Sequence, residues 1–456
     1  MKITRAIFRN TGGVHPDYRK DTTAGRPIET MPMPQRLCIS MVQHIGAPAK
    51  PMIKKGDAVL RGQPIGEATG FISARVHAPV TGVVKAIDER PTVSGKTAPV
   101  IEIEFSGADK LHESCMPAAD WISFSAKHLV ELVARAGIIG MGGAGFPTHV
   151  KLSPPPGKTI DTLIINGAEC EPYLTADHRL MIEQAREIWE GTKIIRQILG
   201  AKHVKVAVED NKPDAIASMQ KIMSRADGNV ELVILKTEYP QGAEKQLIHA
   251  VTGMEVPSGG LPMDVGALVE NVATAAAIRD AVITGTPLIR RVVSVTGECV
   301  RNPKNILAPL GTTLLDLVNF CGGVTVEPAK IICGGPMMGI ALSSLNPGMN
   351  KTTSGLLLLP PAKIACFTSM PCIACGRCIT ACPMQLMPGT LSEFIEAEDF
   401  KTADENNLLD CIECGACAFE CPAHRPLVQH MKHGKAMITA IRRQREAARK
   451  KSNHGK

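Results

Sequence analysis

The C-terminal part of the sequence reads Cys372-Ile-Ala-Cys375-Gly-Arg-Cys378-Ile-Thr-Ala-Cys382-Pro383, and later Cys411-Ile-Glu-Cys414-Gly-Ala-Cys417-Ala-Phe-Glu-Cys421-Pro422. Both runs separate three cysteines by two residues each and place a fourth, three residues further on, directly before a proline. This spacing is typical of loops that ligate a [4Fe–4S] cluster, and where two such runs occur the fourth cysteine ligates the other cluster. The sequence therefore predicts two clusters and one-electron transfer.

The spacing also assigns each cysteine to a cluster. We expect the first cluster on Cys372, Cys375, Cys378 and Cys421, and the second on Cys411, Cys414, Cys417 and Cys382. Gly376 and Gly415 allow the backbone to come close to the sulfide. Zinc is a weaker alternative because it favours ligands in pairs rather than three plus one. Disulfides suit secreted chains, and Met1–Arg9 has no apolar core of the kind that a secretory signal needs.

Length and composition exclude several classes of protein. A chain of 456 residues suggests about three domains. Aromatic residues make up only 3% of it, which argues against nucleic-acid binding through a stacking surface. Apolar runs such as Leu356–Leu359 are far shorter than the ~18–20 residues that cross a bilayer, so no membrane span is expected. The cysteines outside the two runs lack metal spacing and are expected to be mostly small buried residues: Cys38, Cys115, Cys170, Cys299, Cys321, Cys333 and Cys366.

Positive charge is concentrated at the C-terminus. Residues 431–456 contain nine Lys or Arg and one Glu, a charge of +8, whereas the whole chain carries +7. Such a basic tail can bind anionic lipid, nucleic acid or an acidic partner, or it can be a solvated helix end.

The N-terminal third predicts an arm followed by β-structure. Residues 1–35 are rich in Pro, Gly and Thr and predict an extended arm. Between 36 and 105, Gly or Pro interrupts short apolar runs every 8–12 residues or so, which is typical of an all-β domain, and we expect that domain to span residues 36–112. Lys54–Gly66 together with His77–Val84 resembles a lipoyl-like barrel-sandwich domain. Members of that family carry a modified lysine at a hairpin tip, but the tip near Gly70–Ile72 has none, so we expect a structural or docking module.

The rest of the chain predicts three further modules. Residues 125–290 alternate strand-like and helical patterns, including helical spacing over His178–Leu199, and predict an α/β domain with a partly parallel sheet. Residues 291–345 predict a small α+β, β-grasp-like module, and Ser354–Lys363, with two prolines, predicts a linker. Residues 364–430 form the helical two-cluster domain, ahead of the basic tail at 431–456. The fold class is therefore multidomain, α/β and α+β, with an N-terminal β barrel sandwich.

A glycine-rich segment lies early in the α/β region. Gly140-Met-Gly142-Gly143-Ala-Gly145-Phe-Pro fits G-x-G-x-x-G, which is weak evidence by itself. A dinucleotide fingerprint opens a helix directly after a strand, whereas this loop follows the helical stretch Ala126–Ala136. A glycine turn can still hold a phosphate through bare N–H groups, and Lys151 could neutralise the charge. The alternative is a tight structural turn.

The segments around this loop resemble the NADH- and FMN-binding subunit of respiratory complex I. The resemblance implies that the glycines and the lysine hold FMN phosphate, that the asparagines contact the flavin, and that the tyrosine and carboxylates line the flavin and nicotinamide site. The residues so implied are Gly140, Gly142, Gly143, Gly145, Lys151, Asn166, Glu169, Glu171, Tyr239, Gly242, Glu244, Asn271 and Thr274. Two departures from that family, Ala168 in place of Asp and Ala243 in place of Glu, remove negative charge near the flavin.

The order of the domains, with Gly12–Pro16 and Gln43–Pro48, resembles the C subunit of Rnf complexes over nearly the whole chain. This implies a peripheral, NADH-oxidising or NAD-reducing subunit with two [4Fe–4S] clusters, non-covalent FMN and NAD(H) as substrate. It also implies membrane and iron–sulfur subunits as partners, coupling to Na⁺ or H⁺ transport, and a place on the cytoplasmic face of a bacterial cell membrane. No catalytic side chain is expected, because redox cofactors carry such chemistry. A cobalamin reductase of a propanediol-utilising compartment and a non-catalytic electron-carrying scaffold are the alternatives.

Overall fold

The computed structural model describes residues 1–6, 8, 11–118, 120–364 and 367–454. Cys366, one of the cysteines expected to be buried, lies outside the described residues, as do residues 455 and 456 of the basic tail. The chain divides into two compact units. The first contains residues 1–6, 17–237 and 262–364, and the second contains residues 7–16, 238–261 and 365–456.

The first unit combines strands and helices. Its strands are β1 (Lys2–Arg5), β2 (Glu29–Thr30), β3 (Arg36–Ser40), β4 (Lys50–Pro51), β5 (Ala58–Val59), β6 (Pro64–Glu67), β7 (Val76–His77), β8 (Gly82–Pro91), β9 (Thr97–Phe105), β10 (Thr162–Gly167), β11 (His203–Glu209), β12 (Asn229–Leu235), β13 (Ala267–Asn271), β14 (Arg290–Thr296), β15 (Lys304–Pro309), β16 (Lys330–Cys333), β17 (Ile340–Leu342) and β18 (Gly355–Leu359). Its helices are α1 (Asp21–Ala24), α2 (Ala126–Arg135), α3 (Thr148–Lys151), α4 (Ala176–Glu183), α5 (Ala185–Leu199), α6 (Pro213–Met223), α8 (Val272–Arg279) and α9 (Leu314–Phe320). The second unit contains α7 (Glu244–Thr252), α10 (Arg377–Ala381), α11 (Pro388–Glu396), α12 (Phe400–Glu405), α13 (Ala416–Glu420) and α14 (Leu427–His454).

Two small sheets form the N-terminal barrel sandwich. One has the order β3-β9-β8-β5 and the other the order β4-β6-β7. Leu37 and Ile39 on β3 and Ile101 and Ile103 on β9 are buried in one apolar core. They alternate along their strands because successive side chains of a strand point to opposite faces. The predicted β barrel sandwich is confirmed.

A five-stranded parallel sheet forms the centre of the α/β domain. Its order is β1-β12-β11-β10-β13, and every neighbouring pair is parallel. β10 reads as a continuous apolar run, Leu163–Ile165, because helices cover both faces of such a sheet. The arm contributes the edge strand β1, which pairs with β12. The helical spacing over His178–Leu199 belongs to two helices, α4 and α5, which meet at Gln184, where φ is −126°.

The predicted linker Ser354–Lys363 is wrong. Its apolar residues form β18, which is buried along its whole length inside the six-stranded sheet β17-β16-β18-β14-β15-β2. β18 pairs with β14 on one side and β16 on the other. Two neighbouring prolines are typical of a linker, but here Pro360 and Pro361 come directly after the strand and end it. The small α+β module therefore extends to Leu359.

The second unit contains two loops of matching backbone. Positive φ values occur at Ala374 and Glu413, at Gly376 and Gly415, and at Gln385 and His424, which are equivalent positions of the two cysteine runs. Helices α11, α12 and α14 enclose an apolar core that includes Leu391, Ile395, Met431 and Ile438. The start of the basic tail is therefore part of this core. The arm also enters this unit, because the N–H of Gly13 donates to the carbonyl of Ala381 at 3.0 Å.

Candidate flavin site and iron–sulfur centres

The predicted flavin residues of the first unit lie where strands of the parallel sheet end. β10 and β13 are neighbours, and Asn166 on β10 pairs with Asn271 at the end of β13. The segments that follow these strands carry Glu169, Glu171 and Thr274. Crevices at the carboxyl ends of parallel strands are the usual ligand sites of α/β sheets.

Thr274 and Asn271 support the glycine loop between α2 and α3. The N–H of Met141 donates to Thr274 Oγ1 at 3.0 Å. A Cβ on Gly142 would lie 2.7 Å from Asn271 Nδ2, so glycine is needed for this close approach. Gly142 and Gly143 are exposed, and a Cβ on Gly143 would meet no atom within 4 Å. Open space over bare backbone fits a phosphate group.

The ends of this loop are fixed by backbone contacts. The N–H of Gly140 donates to the carbonyl of Phe146 at 2.9 Å, and buried Gly145 has a φ of +71°. Lys151 lies at the end of α3, directly after the loop, and its Nζ donates to the carbonyl of Val269 at 2.5 Å. The ammonium therefore lies beside β13, the strand that ends in the supporting asparagine.

Asn271 also contacts an acidic residue that sequence reasoning missed. Its Oδ1 caps α8 by accepting from the N–H of Ala273 at 2.8 Å, and its Nδ2 donates to Asp177 Oδ2 at 2.6 Å. Burial, followed by the nearby Glu169 carboxylate, raises the pKa of Asp177 to about 7. The sequence did carry a signal, because Asp177 is an acidic residue in the first turn of α4, the helix that follows the Glu169 loop. The pairing with Asn271 is visible only in three dimensions.

The two predicted carboxylates after β10 bind backbone amides. Glu169 accepts from two N–H groups in the first turn of α4, at 3.0 and 3.1 Å. Glu171 accepts from the N–H groups of Met337 and Met338 at 3.1 and 2.8 Å, and burial raises its pKa to about 6. Lys20 Nζ donates to the carbonyls of Glu169 and Glu171, both at 2.8 Å. These acids thus shape the loop that borders the crevice.

The other three predicted flavin residues lie in the second unit. Tyr239 is fully buried, and its hydroxyl donates to the carbonyl of Cys414 at 2.6 Å. Gly242 lies in the turn before α7, and Glu244 is the first residue of that helix. The tyrosine hydroxyl therefore contacts a cysteine loop, a contact that the resemblance to complex I did not imply.

Tyr239→Phe is expected to lower the free energy of unfolding of the second unit by about 1–3 kcal/mol, because the buried Cys414 carbonyl loses a hydrogen-bond donor. Chemical denaturation of the cluster-loaded protein measures this. Tyr173→Phe is the matched control, since the Tyr173 hydroxyl donates to Glu298 at an exposed position. Equal stability of the two variants would contradict the assigned contact.

The cysteines of the two runs form two sets around separate cavities. One cavity is lined by Cys372, Cys375, Cys378 and Cys421, and the other by Cys382, Cys411, Cys414 and Cys417. In the described part of the chain, no group of three or more His, Cys, Asp or Glu is arranged around one metal ion. Each set instead surrounds a larger space, and four thiols are the donors that a [4Fe–4S] cluster requires.

The thiols that surround Cys378 belong to the same set. Burial raises the pKa of Cys378, and the thiols of Cys421, Cys372 and Cys375 act in the same direction. Backbone N–H groups lie 3.4 Å from the sulfur atoms of Cys372, Cys382 and Cys411. Hydrogen bonds to the sulfurs tune the reduction potential of a cluster.

The basic tail forms most of α14 and contacts acidic residues. Lys435 Nζ lies 2.6 Å from Glu413, and Arg442 lies 2.8 Å from Asp404. Over the residues that the structure describes, no helix is both long enough and apolar enough to cross a membrane.

Four protein-family models match the chain. They are the RnfC barrel sandwich hybrid domain at residues 8–108, the Nuo51 FMN-binding domain at 133–280, the SLBB domain at 292–341 and the 4Fe-4S dicluster domain at 371–425. These matches confirm the predicted domain content and its cofactors, FMN and two [4Fe–4S] clusters.

Curated relatives match over nearly the whole chain. The C subunit of a proton-translocating ferredoxin:NAD(+) oxidoreductase complex from Clostridium ljungdahlii is 49% identical, over 93% of both chains. The C subunit of a Na(+)-translocating complex of the same kind from Acetobacterium woodii is 45% identical, over 97% of this chain and 99% of the relative. The C subunit of the ion-translocating oxidoreductase complex of Rhodobacter capsulatus is 43% identical, over 95% and 83%. The resemblance found in the sequence is thus confirmed, and the chain belongs to the family of Rnf complex C subunits.

Proposed function

We propose that the chain is the NADH-oxidising, or NAD-reducing, electron-entry subunit of a membrane-bound ferredoxin:NAD oxidoreductase complex coupled to Na⁺ or H⁺ transport. One observation supports this most. Residues 238–261 belong to the FMN-binding match, yet they fold in the same unit as the two cysteine loops. A segment of the flavin domain and the two cysteine loops therefore belong to one compact unit. The matched relatives are named as subunits of such complexes.

Each part of the flavin crevice has a defined task in this proposal. Bound FMN supplies the conversion between a two-electron hydride and single electrons. The glycine loop holds its phosphate, with Lys151 as the counter-charge. Asn166 and Asn271 contact the flavin, and Asp177 fixes the direction of the Asn271 amide through the bond at 2.6 Å. Thr274 acts on the loop through Met141, and is therefore a positioning residue.

The remaining site residues are proposed to contact the flavin or the nicotinamide. They are Glu169, Glu171, Tyr239, Gly242 and Glu244. Ala168 and Ala243 stand where the complex I family has acids, so the flavin keeps fewer negative neighbours. Less negative charge near a flavin favours its reduced, more negative forms and so raises its reduction potential.

The two thiol sets are proposed as cluster ligands in the interleaved pattern. Cys372, Cys375, Cys378 and Cys421 hold the first cluster, and Cys411, Cys414, Cys417 and Cys382 hold the second. The grouping of each set around its own cavity supports this assignment.

The family determines the general nature of the partners. Matched relatives are single subunits of larger complexes, so other subunits are partners of this chain. We propose membrane and iron–sulfur subunits of the same complex as the direct neighbours, with the chain peripheral on the cytoplasmic face of the bacterial cell membrane. The basic residues of α14 suit either an acidic subunit or anionic lipid.

The test is the visible spectrum and composition of the anaerobically purified chain. The proposal predicts one FMN and eight irons per chain, four for each cluster of the dicluster domain. It also predicts loss of the flavin absorbance when NADH is added. Iron without flavin, or flavin that NADH leaves oxidised, would contradict it.

A further inference from the structure

The two cysteine sets differ in their exposure to solvent. Cys372 and Cys375 of the first set are exposed, whereas Cys382, Cys414 and Cys417 of the second set are buried. The difference extends along the loops, because residues 371–380 include no buried position and residues 411–420 include four. The two equivalent cysteine loops thus differ in burial: the first is exposed to solvent and the second is largely covered by protein.

The second set is covered by the segment that belongs to the FMN-binding match. Tyr239 donates to the Cys414 carbonyl at 2.6 Å, and Gln246 Nε2 donates to the Pro383 carbonyl at 3.0 Å. The N–H of Gly259 donates to Asp410, the residue before Cys411, at 3.3 Å. Residues 238–261 therefore lie against the loops of the second cluster.

Exposed apolar residues flank the exposed thiols of the first set in the sequence. Ile373 is 65% exposed between the two exposed cysteines, and Phe367, Met370 and Ile379 are 61%, 49% and 46% exposed. These four residues with Cys372 and Cys375 are called the cluster-1 face. Exposed apolar groups gathered in one place mark interaction sites, and aromatic residues and Met are enriched at interfaces.

Two residues of the cluster-1 face, Phe367 and Met370, contact the second cysteine run. The ring of Phe367 stacks on His424 with centroids 3.6 Å apart and an angle of 8°. The N–H of Met370 donates to the carbonyl of Ala423 at 3.0 Å. Both contacts are to the turn that follows Cys421, so the aromatic ring is held next to a ligand of the first cluster.

We propose that the second cluster exchanges electrons with the flavin and that the first is the outlet, with the cluster-1 face docking a partner protein that presents its own one-electron redox centre. This rests on the proposed function. The exposed thiols identify the occupant, because an electron leaves a cluster only toward another redox centre brought close to it. Oxidation of one NADH yields NAD⁺, a proton and two electrons. Each transfer through the clusters moves one electron. Two transfers therefore reduce two partner centres and use both electrons of one NADH.

Variants in the whole complex test the docking surface. The chain is produced with the other subunits of its complex and isolated as wild type, Ile373→Glu, Ile379→Glu and a control, Met52→Glu, which places the same charge at an exposed methionine of the barrel sandwich. NADH oxidation by ferricyanide, a small acceptor that needs no docking, is expected to stay within about twofold in all four. NADH-driven reduction of the partner's centres, followed by EPR, is expected to fall about tenfold or more in both isoleucine variants and not in the control.

Several outcomes would overturn the inference. Transfer to partner centres that stays at the wild-type rate in both isoleucine variants would exclude this face as the docking site, and so would a loss confined to Met52→Glu. If Ile373→Glu loses iron from the neighbouring cluster, the docking surface is tested by Ile379→Glu alone. If wild-type NADH oxidation is absent in the ferricyanide assay, the proposed function fails instead, so the two failures are distinguishable.

The order of the clusters has its own test. In Cys375→Ser, NADH should still reduce the second cluster, whereas in Cys414→Ser the first cluster should remain oxidised. The reverse pattern would make the exposed cluster the inlet and overturn the proposed order.

Discussion

Replacing Cys421 by serine is expected to remove the first cluster and leave the second. Cys421 lies in the second run of the sequence, but its thiol lines the cavity of Cys372, Cys375 and Cys378. A serine hydroxyl is a poor replacement, because iron–sulfur clusters select soft thiolate ligands. The variant should therefore lose about half of its iron, with the loss confined to one cluster.

Cys382→Ser is the mirror experiment. Cys382 belongs to the first run, yet it lines the second cavity with Cys411, Cys414 and Cys417. EPR of the two reduced variants should therefore show one cluster each, the second cluster in Cys421→Ser and the first in Cys382→Ser. Loss of the second cluster's signal in Cys421→Ser, with the first intact, would contradict the interleaved ligation.

Replacing Gly143 by alanine is expected to weaken FMN binding by about tenfold or more without changing the stability of the flavin-free chain. A Cβ at this position meets no protein atom within 4 Å, so the flavin-free fold has room for it. The same space is proposed to hold the FMN phosphate, and overfilling a closely packed site costs ~1–3 kcal/mol. Fluorescence titration with FMN and chemical denaturation measure the two effects separately.

Gly142→Ala should lower both the affinity for FMN and the stability of the flavin-free chain. Its Cβ would lie 2.7 Å from Asn271 Nδ2, so the loop or the cap of α8 must move even without flavin. Gly25→Ala is the neutral control, since its Cβ meets nothing and its φ is −82°. Wild-type FMN affinity in Gly143→Ala would show that the phosphate lies elsewhere.

Local patterns account for the features that could be predicted from the sequence. The cysteine runs are short, and every ligand is specified by spacing, so the two sets could be assigned before any fold was known. The buried strand β10 could be recognised because three consecutive large aliphatic residues, Leu163–Ile165, seldom occur in an exposed loop. The domain order could be inferred from resemblance because each module carries its own motifs.

Features that depend on pairing between distant segments could not be predicted. The apolar run Leu356–Leu359 beside two prolines fits a linker, and only its pairing with β14 and β16 makes it a central strand. Asp177 and Asn271 are 94 residues apart in the sequence, and Tyr239 and Cys414 are 175 residues apart. Such contacts leave no periodicity and no fixed spacing, so neither pair could be found by reading motifs.

In the proposed function, electrons travel from NADH through FMN to the two clusters of one chain. The direct measurement is EPR of the anaerobic, cluster-loaded chain after addition of NADH, with and without bound FMN. We expect reduced cluster signals only in the chain that contains FMN. Cluster reduction that proceeds equally without FMN, or that fails although the flavin is bleached, would contradict it.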